Sequence, residues 1–426
     1  MKCFFGEKNM SETTAKKTSG TEYAVRLLGF LCPLIYFASY LTRKDYSIVM
    51  DAVISAEGIG EKAAGLVETM GVISYCVGQI VSGILGDRFK PQKLIMCGLS
   101  VTVLCNIAMP LAPADFRGAI WFVNGFAQSM LWPPLVRIMA SVMDKKKYNT
   151  VAANVNAAGI TGTIFIYITS SLIWLKIFNS WKYTFFTSAI ITAIILCCWI
   201  FGFRRIDKEV VSNFDNKKKD GEAKAKGKLT PKLLLGSGFI FIALAIIAQG
   251  ALRDGITDWV PTLLRNTFEI PSNYAILYAV AIPILGVISM KLVGFASNKW
   301  VKEELNGSIV IFVFAAALCG GLWMIYKNNQ YLTVILAALI VGCMHAVNFF
   351  LVCVVPAKFE KYGIVATMSG IINSLTYIGT SVAVSGFPSL IKEGDWGRCI
   401  FVWAIISLVG AVLCLAAVKN WKKFKA

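Results

Sequence analysis

The chain has 426 residues, of which 57% are hydrophobic and only 15% charged, where a soluble domain averages about 25% charged. Its net charge of +18 sits in short loops between apolar runs, so membrane orientation accounts for it and nucleic-acid binding is excluded. The 12 cysteines fall mostly inside those runs, without CxxC or Cys/His spacing, which points to no disulfide framework, metal or cofactor and leaves the thiols as small hydrophobes.

Residues 1–25 are polar and read as a tail; no cleavable signal is evident, because the first apolar run continues as a full span. Runs long enough to cross a bilayer then follow at 26–50, 63–86, 93–113, 118–142, 152–174 and 182–203. Residues 204–232 are polar, Lys-rich and poor in aromatics, a composition that cannot bury enough surface to fold, and read as a linker. Six further runs follow at 233–261, 272–296, 307–326, 331–354, 362–389 and 396–418, with 362–389 the least clean, before a short tail at 419–426. The sequence therefore predicts an all-α membrane protein of twelve transmembrane helices in two pseudo-symmetric six-helix bundles, 26–203 and 233–418. Lys and Arg concentrate in alternate loops, which places both termini on the cytoplasmic side. A bacterial inner membrane or cell membrane is the expected location, and a monomer in the lipid bilayer the expected state.

The halves share punctuation. Arg43 precedes Gly83-Ile84-Leu85-Gly86-Asp87-Arg88 by nearly the same offset as Arg253 precedes Gly294-Phe295-Ala296-Ser297-Asn298-Lys299. Duplicated halves around a site at the membrane midplane are a common plan of secondary transporters.

Charges interrupt two spans: Arg43, Lys44 and Asp45 in the first, and Arg253, Asp254 and Asp258 in the seventh. A charge at the bilayer centre costs roughly 2.5–3.5 kcal/mol on insertion scales, so such residues usually face a wet cavity. Snorkelling to the outer interface is the alternative, but apolar sequence continues past both arginines. Neighbours one apart on a helix do not face each other, so Asp254 is not expected to neutralise Arg253. Two unpaired guanidiniums facing each other repel unless an anion bridges them, and their planar forks match phosphate or carboxylate. Tyr36 and Tyr40 share the helical face of Arg43. Tyr75, Gln79, Trp132 and Asn156 are further polar or amphipathic groups within spans. Glu68 is a candidate partner for a cation or a proton carrier. Lys291 and Arg137 sit near span ends, where loop contacts suffice. His345, the sole histidine, lies beside Asn348, and both packing and a proton relay stay open for it.

Gly83-x-x-x-Asp87-Arg88-x-Lys90-x-x-Lys93, between the second and third spans, resembles the loop signature of the major facilitator superfamily. The resemblance implies that Asp87 and Arg88 make gate contacts that stabilise one access state, with Asn298 and Lys299 as a weaker second copy lacking the acid. More narrowly, YLTRKDYSIVM, WFVNGFAQSMLWPP and LRDGITDWVPTLL are similar to segments of the organophosphate:phosphate antiporters. That resemblance covers most of the chain. It implies alternating access and exchange of inorganic phosphate for a phosphorylated metabolite such as a sugar phosphate or glycerol phosphate. It assigns Arg43 and Arg253 to the phosphate-binding pair, and Lys44, Tyr36, Tyr40, Tyr75, Trp132, Asn156 and Tyr377 to the cavity. The chain departs from the family pattern at Gln79 (lysine in relatives), Gly159 (histidine), Gly250 (tyrosine) and near Ala279 (an acid), so the arginine pair is kept while its surroundings change.

Two other readings remain at this level. One is proton-coupled symport of an organic carboxylate or phosphonate through Asp45, Glu68 or Asp258. The other is a transporter-like receptor for sugar phosphate. No nucleophile–base or metal constellation points to an enzyme.

Overall fold

A computed structural model describes residues 3–59, 61–206, 231–270, 278, 281–299, 303–391 and 395–425; side chains before Glu22 and a few others, Asn298 and Lys299 among them, lie outside the description. The gate expectation for Asn298 and Lys299 therefore rests outside the described side chains, and Ala279 and most of the expected linker lie outside the described residues.

The first half folds as α1 (Cys3–Glu57), α2 (Glu61–Arg88), α3 (Pro91–Ala108), α4 (Ala114–Ser129), α5 (Trp132–Val142), α6 (Lys145–Thr169) and α7 (Lys182–Arg204). The second half has the short α8 (Pro231–Gly236), then α9 (Phe239–Phe268), α10 (Ala281–Lys299), α11 (Glu304–Ile325), α12 (Gln330–Asn348), α13 (Val365–Gly386) and α14 (Gly397–Lys425). With α4 and α5 counted as one interrupted pass and the six-residue α8 left aside, these make twelve passes. The interruption falls at Met130-Leu131, just before Trp132-Pro133-Pro134; prolines lack the amide for a helix interior but suit a first turn, so the helix restarts there.

Nine helices among the described residues are long and apolar enough on their own to cross a bilayer. Among the remaining passes, α13 is polar for a physical reason: Ser369, Asn373, Ser374, Thr376, Tyr377 and Thr380 sit where it packs against other helices rather than lipid. Two boundaries differ from the sequence reading. Helix α1 is helical from Cys3, upstream of residue 26. Helix α6 begins at Lys145 rather than near 152, because Asp144 accepts the Lys147 amide at 2.7 Å and caps the end.

The pairing of helices displays the duplication. In the first half α1 packs on α6, α2 on α4 and α3 on α7; in the second, α9 packs on α13, α10 on α12 and α11 on α14. These are equivalent pairs under exchange of halves. The halves meet where α2 packs on α13 and α6 on α10, again an exchangeable pair.

Small residues set the closest crossings, since packing of backbones rather than water-driven burial holds helices together in lipid. A Cβ on Gly379 would lie 2.0 Å from the Ile247 carbonyl oxygen, and one on Gly250 would lie 2.2 Å from that of Thr376. Gly162 meets the Phe37 carbonyl in the same way at 2.6 Å. Gly379→Ala is expected to lower the unfolding midpoint of the detergent-purified protein by roughly 5 °C, as overpacking costs about 1–3 kcal/mol. Gly320→Ala, where nothing lies within 4 Å of the added carbon, should leave it unmoved or raise it; differential scanning fluorimetry checks both.

Candidate functional site

Helices α1, α2 and α13 bring a tyrosine cage around Arg43. Its guanidinium carbon lies 4.1 Å from the Tyr40 ring centroid, 4.6 Å from Tyr75 and 5.9 Å from Tyr377. Nη1 donates to the Tyr377 hydroxyl at 3.0 Å. Tyr36 extends the cage, edge-on to Tyr40 at 5.1 Å and 4.8 Å from Trp132. Tyr75 and Tyr377 meet edge-on at 5.0 Å across the boundary between halves, with the Asn373 amide donating to the Tyr75 hydroxyl at 3.4 Å. Arg43 has no carboxylate within ion-pair distance among the described residues. Its charge is met by aromatic faces and a hydroxyl.

Arg253 is different, and here the sequence expectation fails. Its Nε and Nη2 donate to the two carboxylate oxygens of Asp254 at 2.6 and 2.7 Å, and Nη1 donates to Asn348 at 3.0 Å. Thr380 of α13 donates a third bond to Asp254 at 2.7 Å. Helical spacing does separate adjacent residues, but the long arginine stem folds back along its own helix and reaches the neighbouring carboxylate. The two arginines are therefore not an unpaired, mutually repelling couple. One is chelated and one is open. Tyr40 and Tyr377 lie within electrostatic range of both, so both line the same space.

Just beyond the arginines, Lys44 of α1 and Asp258 of α9 are exposed. They stand within electrostatic range of each other, with Glu68 of α2 also in range of Lys44. Glu68 accepts the Trp121 indole hydrogen at 3.1 Å. Asp45 points elsewhere: it is buried, one oxygen takes the Tyr46 amide at 2.9 Å, and the other has no partner among the described residues.

The other expected cavity residues divide. Trp132 is buried, its indole nitrogen without a partner among the described residues, and its ring is tilted against Tyr36. Gln79 is buried at the α2–α13 crossing, donating to the Ser129 carbonyl at 3.4 Å, with its own carbonyl oxygen unpartnered among the described residues. Asn156 is buried and engaged by the Ala152 carbonyl and the Cys353 sulfur at 2.9 and 3.1 Å, so it ties α6 to the helical segment Phe349–Val354 that follows α12. His345 stands beside Gly286 of α10 and in electrostatic range of Arg253 and Asp254. At Gly159 the rings of Tyr40 and Tyr36 would lie 2.8 and 2.9 Å from an added Cβ, so the cage occupies the room a larger residue would need.

Among the described residues, the contacts that close the interface between halves gather on one face. Asp87, at the end of α2, accepts the Ala366 and Thr367 amides at 2.9 and 2.7 Å. These amides open α13, where unpaired N–H groups and the helix dipole attract an anion. Gly83 and Gly86 allow the approach, an added Cβ meeting the Ala366 carbonyl at 2.7 Å and its methyl at 2.9 Å. Arg137 satisfies the Gly86 and Phe89 carbonyls at the end of α2. An added Cβ on Gly370 would lie 2.1 Å from the Gln79 carbonyl oxygen, and Tyr148 of α6 donates to the Cys353 carbonyl in the helical segment Phe349–Val354 that follows α12. Arg88 is exposed. Contacts between halves among the described residues run from Asp87 up to Tyr377, and Lys44 and Asp258, just past the arginines, are exposed, so the site opens on the face opposite Asp87.

Residues 34–384 match the family model described as Major Facilitator Superfamily. The chain belongs to the Major Facilitator Superfamily. As a superfamily member it is an integral membrane transporter, not an enzyme. Among curated proteins it is 25% identical to the "Glycerol-3-phosphate transporter" of Bacillus subtilis (strain 168), over 94% of this chain and 93% of that one. It is 22% identical to the "Probable hexose phosphate transport protein" of Chlamydia muridarum (strain MoPn / Nigg), covering 87% and 86%. The superfamily fold is matched in the solved proton:xylose symporter XylE with a TM-score of 0.70 at 14% identity, covering 94% of this chain and 96% of that one. The narrower likeness drawn from the three sequence segments thus has its counterpart in relatives named for phosphorylated substrates.

Proposed function

We propose that this superfamily member carries a phosphorylated metabolite across a bacterial inner membrane in exchange for inorganic phosphate. The observation that supports the reading is Arg43: a guanidinium in a cleft between the halves with no carboxylate at contact distance among the described residues. An ion sealed in low dielectric without a counter-charge costs several kcal/mol. A phosphate placed on its fork supplies that counter-charge bidentately. Arg253 adds donors rather than net charge, because three of its five N–H groups are engaged by Asp254 and Asn348. Alternating access is the closing of the open face around the guest while the Asp87 contact breaks. A guest drives that change only through its higher affinity for the closing state. Both termini are assigned to the cytoplasm, on the face of Asp87.

Reconstitution into liposomes tests the reading. Labelled phosphate should enter only when phosphate or a phosphate ester is loaded inside. Uptake driven by a pH gradient with nothing loaded inside would replace exchange by symport, and binding without flux would make the chain a receptor.

A further inference from the structure

Resting on the phosphate reading of Arg43, we infer that the carried metabolite is zwitterionic: a phosphorylated amine, with its phosphate at Arg43 and its ammonium at Asp258 and Glu68. The charges of the cleft sort into three groups. Arg253 and Asp254 cancel one another at contact distance, and Thr380 adds a third donor to that carboxylate. Lys44 is shared, lying in the fields of both Asp258 and Glu68. Glu68 lies in the field of Arg43 as well, so two cations, Arg43 and Lys44, face two carboxylates, Asp258 and Glu68, with no ion pair at contact distance among the four.

The site is thus a dipole rather than a positive basin. A simple phosphate ester satisfies one pole and leaves the other. Bringing a dianion beside an acidic wall costs several kcal/mol as water leaves, because Coulomb terms strengthen when the dielectric falls. An ammonium on the guest reverses the sign of that term. Position supports the assignment too. Asp254 and Asp258 are one helical turn apart on α9 and share a face; Asp254 is held by Arg253 and Thr380, whereas Asp258 is exposed and has no ion-pair or hydrogen-bond contact among the described residues. Asp258 is the acid left available to a guest. Burying it unpaired would be costly, and an ammonium is the group that relieves it.

Competition against labelled phosphate exchange in proteoliposomes decides the matter, using two molecules of nearly equal shape: phosphoethanolamine and 2-hydroxyethyl phosphate. The wild type should take phosphoethanolamine at a concentration at least tenfold lower. Asp258→Asn should bring the two within about twofold, each measured against that variant's own phosphate exchange, and Glu68→Gln, a second route should the first variant not fold, should narrow the ratio in the same direction. Asp254→Asn releases Arg253 as a second free cation and should improve 2-hydroxyethyl phosphate several-fold. Equal competition by the two esters in the wild type overturns the zwitterion and leaves the phosphate-ester carrier standing. So does uptake of 2-hydroxyethyl phosphate accompanied by protons, which would put a proton in the place assigned to the ammonium. An unchanged ratio in both Asp258→Asn and Glu68→Gln overturns it as well. Absence of any phosphate exchange in the wild type removes the carrier reading itself, a result distinguishable from all of these.

Discussion

Replacing Arg43 by alanine is expected to reduce phosphate counterflow in proteoliposomes by about 10²–10³-fold, as truncating one partner of a buried charge pair costs about 2–5 kcal/mol. The prediction follows from what surrounds the guanidinium. Three tyrosine rings and one hydroxyl hold it in place, and none of them can take over its charge. Arg43→Lys keeps the charge but loses the fork that two phosphate oxygens meet, so an intermediate loss of about tenfold is expected. Arg253 should behave otherwise. Its removal strands the Asp254 carboxylate beside the site, and breaking a buried pair from one side costs about 3–5 kcal/mol. The single variant Arg253→Ala should therefore be as damaging as Arg43→Ala, yet Arg253→Ala combined with Asp254→Ala should recover part of the exchange. No second substitution should recover Arg43→Ala. Equal additivity at both arginines would mean that they act as one symmetrical clamp and that the chelation by Asp254 has no functional weight.

The contrast between the two arginines also marks where sequence reasoning reaches its limit. Span lengths, the charged interruptions at Arg43 and Arg253, and the alignment of Tyr36 and Tyr40 with Arg43 are local properties, fixed by 1.5 Å of rise and 3.6 residues per turn. They were legible for that reason, and the Gly83–Lys93 signature was legible because its spacing is itself local. The chelation of Arg253 was not. Helical spacing describes where side chains start, whereas a six-atom stem decides where this one ends. The dipole of the site was hidden for another reason: Lys44, Glu68 and Asp258 come from α1, α2 and α9, and only the packing of halves sets them together. Asn156 and Gln79 show the same gap from the other side. Each is a polar residue within a span, as the cavity expectation required, yet Asn156 is engaged by Ala152 and Cys353, and Gln79 lies at a close helix crossing. The low hydropathy that made 362–389 hard to read as a span belongs to a helix that faces protein and cleft, with Asp87 at its start and Asp254 bonded to its Thr380.

Asp87→Ala is expected to shift the protein by about 100-fold away from the state closed at that face. The carboxylate is poorly placed for its own helix: it ends α2, where the dipole is negative and a second negative charge is unfavourable by several tenths of a kcal/mol. Its favourable term comes from α13 across the boundary, through two amides at 2.9 and 2.7 Å. Hydrogen bonds to a charged group contribute about 1.5–3 kcal/mol each, so losing both, with the local penalty relieved, removes about 3 kcal/mol from the closed state alone. Because the bond joins the two halves, its loss changes the balance between access states rather than the stability of either bundle. Hydrogen exchange distinguishes these outcomes. Amides of residues 364–372 should exchange at least tenfold faster in Asp87→Ala while α3 and α11, which lie away from the boundary, keep their protection. Gly83→Val gives an independent check, since its side chain would press on the Ala366 carbonyl only 2.7 Å away from an added Cβ and should expose the same segment by wedging instead of by uncapping. Faster exchange spread evenly over all helices in both variants would show that Asp87 and Gly83 hold the fold together, and the gate would then have to be sought at Tyr148 and Cys353 instead.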